Sequence, residues 1–177
     1  MADFAASQRS VHKESMVAHR TRLAALREAH YCPGPVAFRA HIRVRFGDED
    51  HAQIVYYPRF FDFFHQAFED FFTDQGHPYR EVLDVDRAGW PAVHAEADHK
   101  HPLRFGDVLE LDLWLERIGT SAATFSYRGR RQADNVDIVT GRVTVACVHL
   151  DTFKSQPIPD KYRALFERHA TPPTPLS

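Results

Sequence analysis

Residues 58–76, PRFFDFFHQAFEDFFTDQG, set the fold, because they carry an apolar stripe at helical spacing between a start signal and a stop. Pro58 suits the opening of a helix, where its missing N–H would have no intrahelical partner. From there Phe60, Phe61, Phe64, Ala67, Phe68, Phe71 and Phe72 recur along one side until Gly76 ends the pattern. Arg59, Asp62, Gln66, Glu69, Asp70, Thr73 and Asp74 fill the other side. One face therefore addresses a thick apolar layer and the other addresses water or a partner. Phenylalanines in such a stripe belong to a core before they belong to a ligand site.

Working outward, Val36, Phe38, Ala40, Ile42, Val44 and Phe46 alternate with Ala37, Arg39, His41, Arg43 and Arg45, the period-two pattern of a half-buried strand. Downstream the pattern turns to strands over about 91–101, 107–118, 122–133 and 137–150. Leu109, Leu111, Leu113 and Leu115 alternate with Glu110, Asp112, Trp114 and Glu116, as an antiparallel sheet with one face against a helix requires. Arg104-Phe105-Gly106-Asp107 and Gly119-Thr120-Ser121 mark turns, and a last short helix is expected over about 159–168. Strand, long apolar helix and a run of antiparallel strands predict an α+β fold, an antiparallel sheet wrapped around one long central helix, which is the hotdog arrangement. Its unprotected edges predict that the sheet continues into a second subunit.

The flanks read as additions to that domain. Residues 1–35 form a polar N-terminal extension with weak helical spacing in MVAHRTRLAALREAH, closed by Pro33-Gly34-Pro35. The domain is expected over 36–168, and the proline-rich end, TPPTPLS, makes 169–177 a disordered tail. With 22 Lys and Arg against 24 Asp and Glu, the formal charge of -2 supplies no general field for gripping a nucleic-acid backbone. No stretch approaches the ~20 apolar residues of a membrane helix, and no cleavable leader pattern opens the chain. Cys32 and Cys147 stand in unrelated contexts and do not suggest a disulfide framework. These features predict a cytoplasmic protein with neither nucleic-acid nor membrane partners.

Residues 46–64, FGDEDHAQIVYYPRFFDFF, resemble the active-site segment of the 4-hydroxybenzoyl-CoA thioesterase family. The likeness extends through residues 89–125, GWPAVHAEADHKHPLRFGDVLELDLWLERIGTSAATF, and covers about 36–150. A GDED loop before a helix is ordinarily a solvated turn with a capping acid. The spacing from Phe46-Gly47 to Ile54-Val55-Tyr56-Tyr57-Pro58, together with the downstream match, lifts it above that reading.

The resemblance implies that Asp50, with Asp48 as its neighbour, attacks the thioester or activates water, and that the backbone N–H of Tyr57 polarises the carbonyl. Both roles suit the residues. A thioester has a good leaving group, so a weak base close to the carbonyl suffices. Free N–H groups and the positive dipole end at a helix start stabilise charge developing on oxygen.

Within the matched segment Gln53, Ile54, Val55 and Pro58 are expected at the substrate, and Glu96 is a separate candidate for lining the acyl pocket. For the nucleotide end the resemblance points to Gly119, Thr120 and Ser121, with phosphate contacts from Arg117, from Arg128 and Arg130, or from another subunit. An ordinary hairpin turn with solvated arginines explains the same residues. The family usually has a glycine where Gln53 stands. Gln53 is expected to narrow the cleft, to hydrogen-bond the attacking water, or to sit on a re-formed backbone.

His94, Glu96 and Asp98 share a strand face near His99 and His101, but they read as surface or interface residues rather than a metal site. The expected partner is an acyl-CoA, with CoA as part of the substrate, no separate cofactor and no metal. The expected assembly is a homo-oligomer, either a dimer or a dimer-of-dimers homotetramer. The acyl group is expected to be aromatic, benzoyl- or hydroxybenzoyl-like. Three rival readings remain open. The first is a short-chain aliphatic thioesterase using a helix carboxylate, Asp62, Glu69 or Asp70. The second is a non-catalytic acyl-CoA-binding protein. The third is a hydratase using His51 beside Asp50.

Overall fold

The computed structural model describes residues 37–170. Strand β1 (Phe38–Arg43) leads through a single 3-10 turn (Phe46–Asp48) into helix α1 (Arg59–Asp74). Helix α2 (Tyr79–Asp84) follows, then strands β2 (Ala88–Gly89), β3 (Ala92–His99), β4 (Val108–Ile118), β5 (Ala122–Arg131), β6 (Asp137–Ala146), β7 (Val148–His149) and β8 (Lys154–Ser155), and helix α3 (Asp160–Arg168). The main sheet has the order β1-β4-β5-β6-β3, and each neighbouring pair is antiparallel. A smaller sheet has the order β2-β7-β8.

Helix α1 lies across the main sheet. Its Phe64 stacks on Tyr127 of β5, Phe68 meets Phe125 edge to face, and Phe71 reaches Phe38 of β1. At Gly141 of β6 the layer is closely packed: a Cβ built there would stand 2.4 Å from the Phe64 ring. Each fully buried phenylalanine contributes about 2–3 kcal/mol of apolar transfer energy, so this stripe is the main attachment of helix to sheet. Leu109, Leu111, Leu113 and Leu115 form the sheet's side of the layer. This is the hotdog arrangement that the patterning predicts, and α1 ends as expected, with Gly76 at φ +84°.

Several local expectations need correction. Phe46 does not continue the buried face of β1: the strand stops at Arg43, the chain turns, and the ring is 79% exposed. On α1 the buried set includes Phe63, whereas Phe61 is only partly buried. The strand expected over 137–150 is two strands. The ladder breaks at Cys147, whose N–H donates to Ser121 O, and Val148–His149 then pair with β2. The six residues of α2 were too few to show a helical period. The N-terminal extension and residues 171–177 of the tail lie outside the described residues.

Candidate active site

The loop between β1 and α1 is held by its own backbone. Asp48 accepts the Arg45 N–H at its carboxylate (2.7 Å) and the Tyr56 N–H at its carbonyl (2.9 Å). Inside that frame Asp50 N–H donates to Ile54 O and Gln53 N–H to Asp50 O, both at 3.0 Å, while Glu49 and Val55 form an antiparallel bridge. The turn so closed needs a left-handed residue, and Gln53 supplies it with φ +59°. A left-handed φ of this kind is one that a glycine takes without steric cost.

Asp50 is exposed, and its Oδ1 accepts the Ala52 N–H at 2.7 Å. That bond orients the carboxylate, and among the described residues Oδ2 has no partner. Arg59, Phe60 and Phe61 donate their N–H groups to Tyr56, Tyr57 and Pro58 carbonyls. Pro58 has no N–H to give, and among the described residues the N–H of Tyr57 donates to nothing. One loop thus carries a half-free carboxylate, and its far end offers a free donor at the positive end of a 16-residue helix.

Neighbours that the sequence did not single out hold this arrangement. Arg59, at the first turn of α1, donates to Asp62 (3.0 Å) and to Gly47 O (3.3 Å), and lies 3.8 Å from Asp48. The connection between β3 and β4 closes the other side: Val55 N–H donates to Leu103 O, Arg104 Nη1 to Gln53 O, and Phe105 N–H to Glu49 Oε1. Phe46 and Phe105, both exposed, meet edge to face beside the loop with ring centroids 6.0 Å apart. Their exposure was the missing signal, because the strand pattern claimed Phe46 for the core.

Other predicted residues lie elsewhere. Glu96 faces away from α1, where it pairs with Arg142 at 2.6 Å and with His94 at 3.4 Å. His94 first, then Arg142, hold its carboxyl below the usual carboxylate range. Arg117, Gly119, Thr120 and Ser121 sit at the opposite end of β4, whose 11 residues at about 3.3 Å each span roughly 33 Å. Arg163 donates to Gly119 O (2.7 Å) and Thr120 O (3.3 Å), fastening that turn to α3. Arg130 and Arg128 are drawn to Asp112, at 3.2 and 3.7 Å. One chain therefore does not bring the nucleotide residues to the loop. Of the helix carboxylates, Asp62 is held by Arg59 and Glu69 lies 3.0 Å from His65. Burial, then repulsion from Glu69 and Asp74, pushes Asp70 above the usual carboxylate range. Among the described residues no helix is long and apolar enough to cross a membrane.

Residues 44–166 match the family model of the thioesterase-like superfamily. A 1,4-dihydroxy-2-naphthoyl-CoA hydrolase of Synechococcus elongatus is 29% identical over 120 residues, 67% of this chain and 86% of the relative. Among solved structures, a thioesterase superfamily protein from Jannaschia sp. CCS1 superposes with TM-score 0.72 at 33% identity, covering 77% of this chain and 94% of the other. A gentisyl-coenzyme A thioesterase does so with TM-score 0.66 at 29% identity, covering 73% and 99%. With the family pattern covering most of the domain, and with the same fold in these structures, the chain belongs to the thioesterase-like superfamily.

Proposed function

We propose that this acyl-CoA thioester hydrolase acts on an aromatic, benzoyl- or hydroxybenzoyl-like acyl-CoA and releases the free acid and CoA, with Asp50 as its catalytic carboxylate. The observation that carries this reading is the half-free Asp50 carboxylate on the loop whose other end offers the unspent Tyr57 N–H. A carbonyl oxygen at that N–H gains stabilisation as it becomes an oxyanion. Asp50 then either takes a proton from water, whose oxygen attacks the carbonyl carbon, or attacks that carbon itself and yields an anhydride that water opens. Both routes consume one water and expel the CoA thiolate. Two relatives named for hydroxylated aromatic acyl groups support the aromatic class.

The site is expected to need a second copy of the chain. Strand β3 is an edge strand with Val93 63% exposed, and pairing it with another β3 would bring a partner's sheet to the loop end. A nucleotide contact from Gly119, Thr120 or Ser121 would then come from that partner, which would accommodate the long span of β4.

Free thiol released from a panel of aromatic and aliphatic acyl-CoA esters tests the reading. Turnover concentrated on aryl-CoA and lost in Asp50→Asn supports it. Binding without thiol release identifies a non-catalytic acyl-CoA-binding protein. Turnover limited to short aliphatic esters that survives Asp50→Asn shifts the chemistry to Asp62, Glu69 or Asp70.

A further inference from the structure

Strand β3 presents two chemically different faces. Ala97 pairs with Gly141, whose Cβ direction runs into the Phe64 ring of α1, so Ala95, Ala97 and His99 form the helix-facing row. Glu96 reaches Arg142 on the other face, in the row that also holds His94 and Asp98. Two of the three helix-facing positions are alanines that take little room, and the third is an imidazole. The His99 ring lies against Phe60 with centroids 4.8 Å apart and an interplanar angle of 57°. His99 is exposed, and among the described residues its ring nitrogens make no hydrogen bond or ion pair. Neighbouring histidines are engaged: His101 Nδ1 is 2.7 Å from Asp137 O, and His94 is tied to Glu96.

The position of His99 relates it to the candidate site from two directions. Its contact residue Phe60 donates its N–H to Tyr57 O, and Tyr57 carries the free donor at the helix start. Past His99 the chain runs to Leu103, whose carbonyl takes the Val55 N–H from the loop. The imidazole is thus a polar group with free hydrogen-bonding capacity against the Phe60 ring, on the strand row that also holds Ala97. A neutral imidazole offers one donor and one acceptor, so it can satisfy a hydroxyl in either sense.

We propose that His99 is a specificity-determining residue whose imidazole hydrogen-bonds a hydroxyl on the aromatic ring of the acyl group, beside Phe60. This rests on the aromatic acyl-CoA reading above. An apolar wall alone discriminates weakly between a ring and its hydroxylated form, whereas a group placed to bond the hydroxyl selects strongly for it.

The test compares wild type with His99→Phe, which keeps an aromatic ring against Phe60 and removes both nitrogens. The quantity read is the ratio of kcat/KM for hydroxybenzoyl-CoA isomers to that for benzoyl-CoA. Both substrates meet the same protein, so partial misfolding cancels from the ratio. The ratio for at least one isomer should fall roughly tenfold, the scale of one lost hydrogen bond, and His99→Gln should recover part of it. A ratio that stays the same in His99→Phe for every isomer, while wild type turns over aryl-CoA, overturns the role of His99 alone. A wild type inactive on every aryl-CoA overturns the aromatic reading and the role together.

Discussion

Asp50 and Asp112 are the same residue type placed in opposite surroundings. Asp112 is 1% exposed and lies among three arginines, with Arg39 at 2.6 Å, Arg130 at 3.2 Å and Arg128 at 3.7 Å. Its charge is spent on the outer face of the sheet, joining β1, β4 and β5. Asp50 is exposed, meets no cation among the described residues, and receives one N–H from its own turn. A carboxylate saturated by guanidinium groups can hold strands together but has nothing left for a substrate. One oriented through a single oxygen keeps its other lone pairs for chemistry.

That contrast predicts separable effects. Asp50→Asn should lower kcat/KM on the preferred acyl-CoA by about a thousandfold, within the range of general-base contributions. Its melting temperature should stay near that of wild type, because surface substitutions away from special features change stability by less than about 0.5 kcal/mol. Asp112→Asn should do the reverse. Removing the anion leaves Arg130, itself 5% exposed, without its countercharge, at a cost of about 3 kcal/mol. Urea unfolding reads this effect, and kcat of the folded fraction should hold. Loss of catalysis in Asp112→Asn with unchanged stability would break the comparison.

The sequence made one of these aspartates legible and hid the other. Asp50 stood out because FGDEDHAQIVYYP is local: the carboxylate, the turn and the helix start are all written within a few residues of one another. Asp112 looked like any polar residue alternating with the leucines of β4, because its arginines come from two other strands and only register brings them together. The helix and main strands were readable from periodicity, which is strong over 16 residues of α1 and absent over six of α2. Phe46 misled because a strand pattern cannot say where a strand stops. The face that Glu96 takes was not legible, because alternation assigns residues to two faces without saying which one meets the helix.

Asp86 lies between the two extremes and sharpens the contrast. Burial opposes its ionisation, but hydrogen bonds from Lys161 and Tyr162 outweigh that and hold its carboxyl below the usual range. A depressed folded pKa contributes stability above the unfolded value near ~3.9, and that contribution is lost as pH falls through the folded value. Solvent screening limits it to less than about 1 kcal/mol. Wild type should therefore exceed Asp86→Asn in melting temperature at neutral pH, and the gap should close on the acid side. A gap that widens on acidification would contradict the assigned direction.

The smallest expected effect tests how the Asp50 turn is held. Gln53 occupies φ +59°, a region that disfavours a residue with a Cβ by about 1 kcal/mol. Glycine would relieve that strain but would lose more conformational freedom on folding, by roughly 0.5–1 kcal/mol. Gln53→Gly should consequently leave stability within about 1 kcal/mol of wild type. Turnover separates the remaining roles of the side chain. If its amide hydrogen-bonds the attacking water, kcat should fall by roughly threefold to tenfold, the scale of one such bond, with the turn intact. Unchanged kcat with a lower KM would instead mean that Gln53 narrows the cleft, leaving Asp50 to depend on its backbone turn alone.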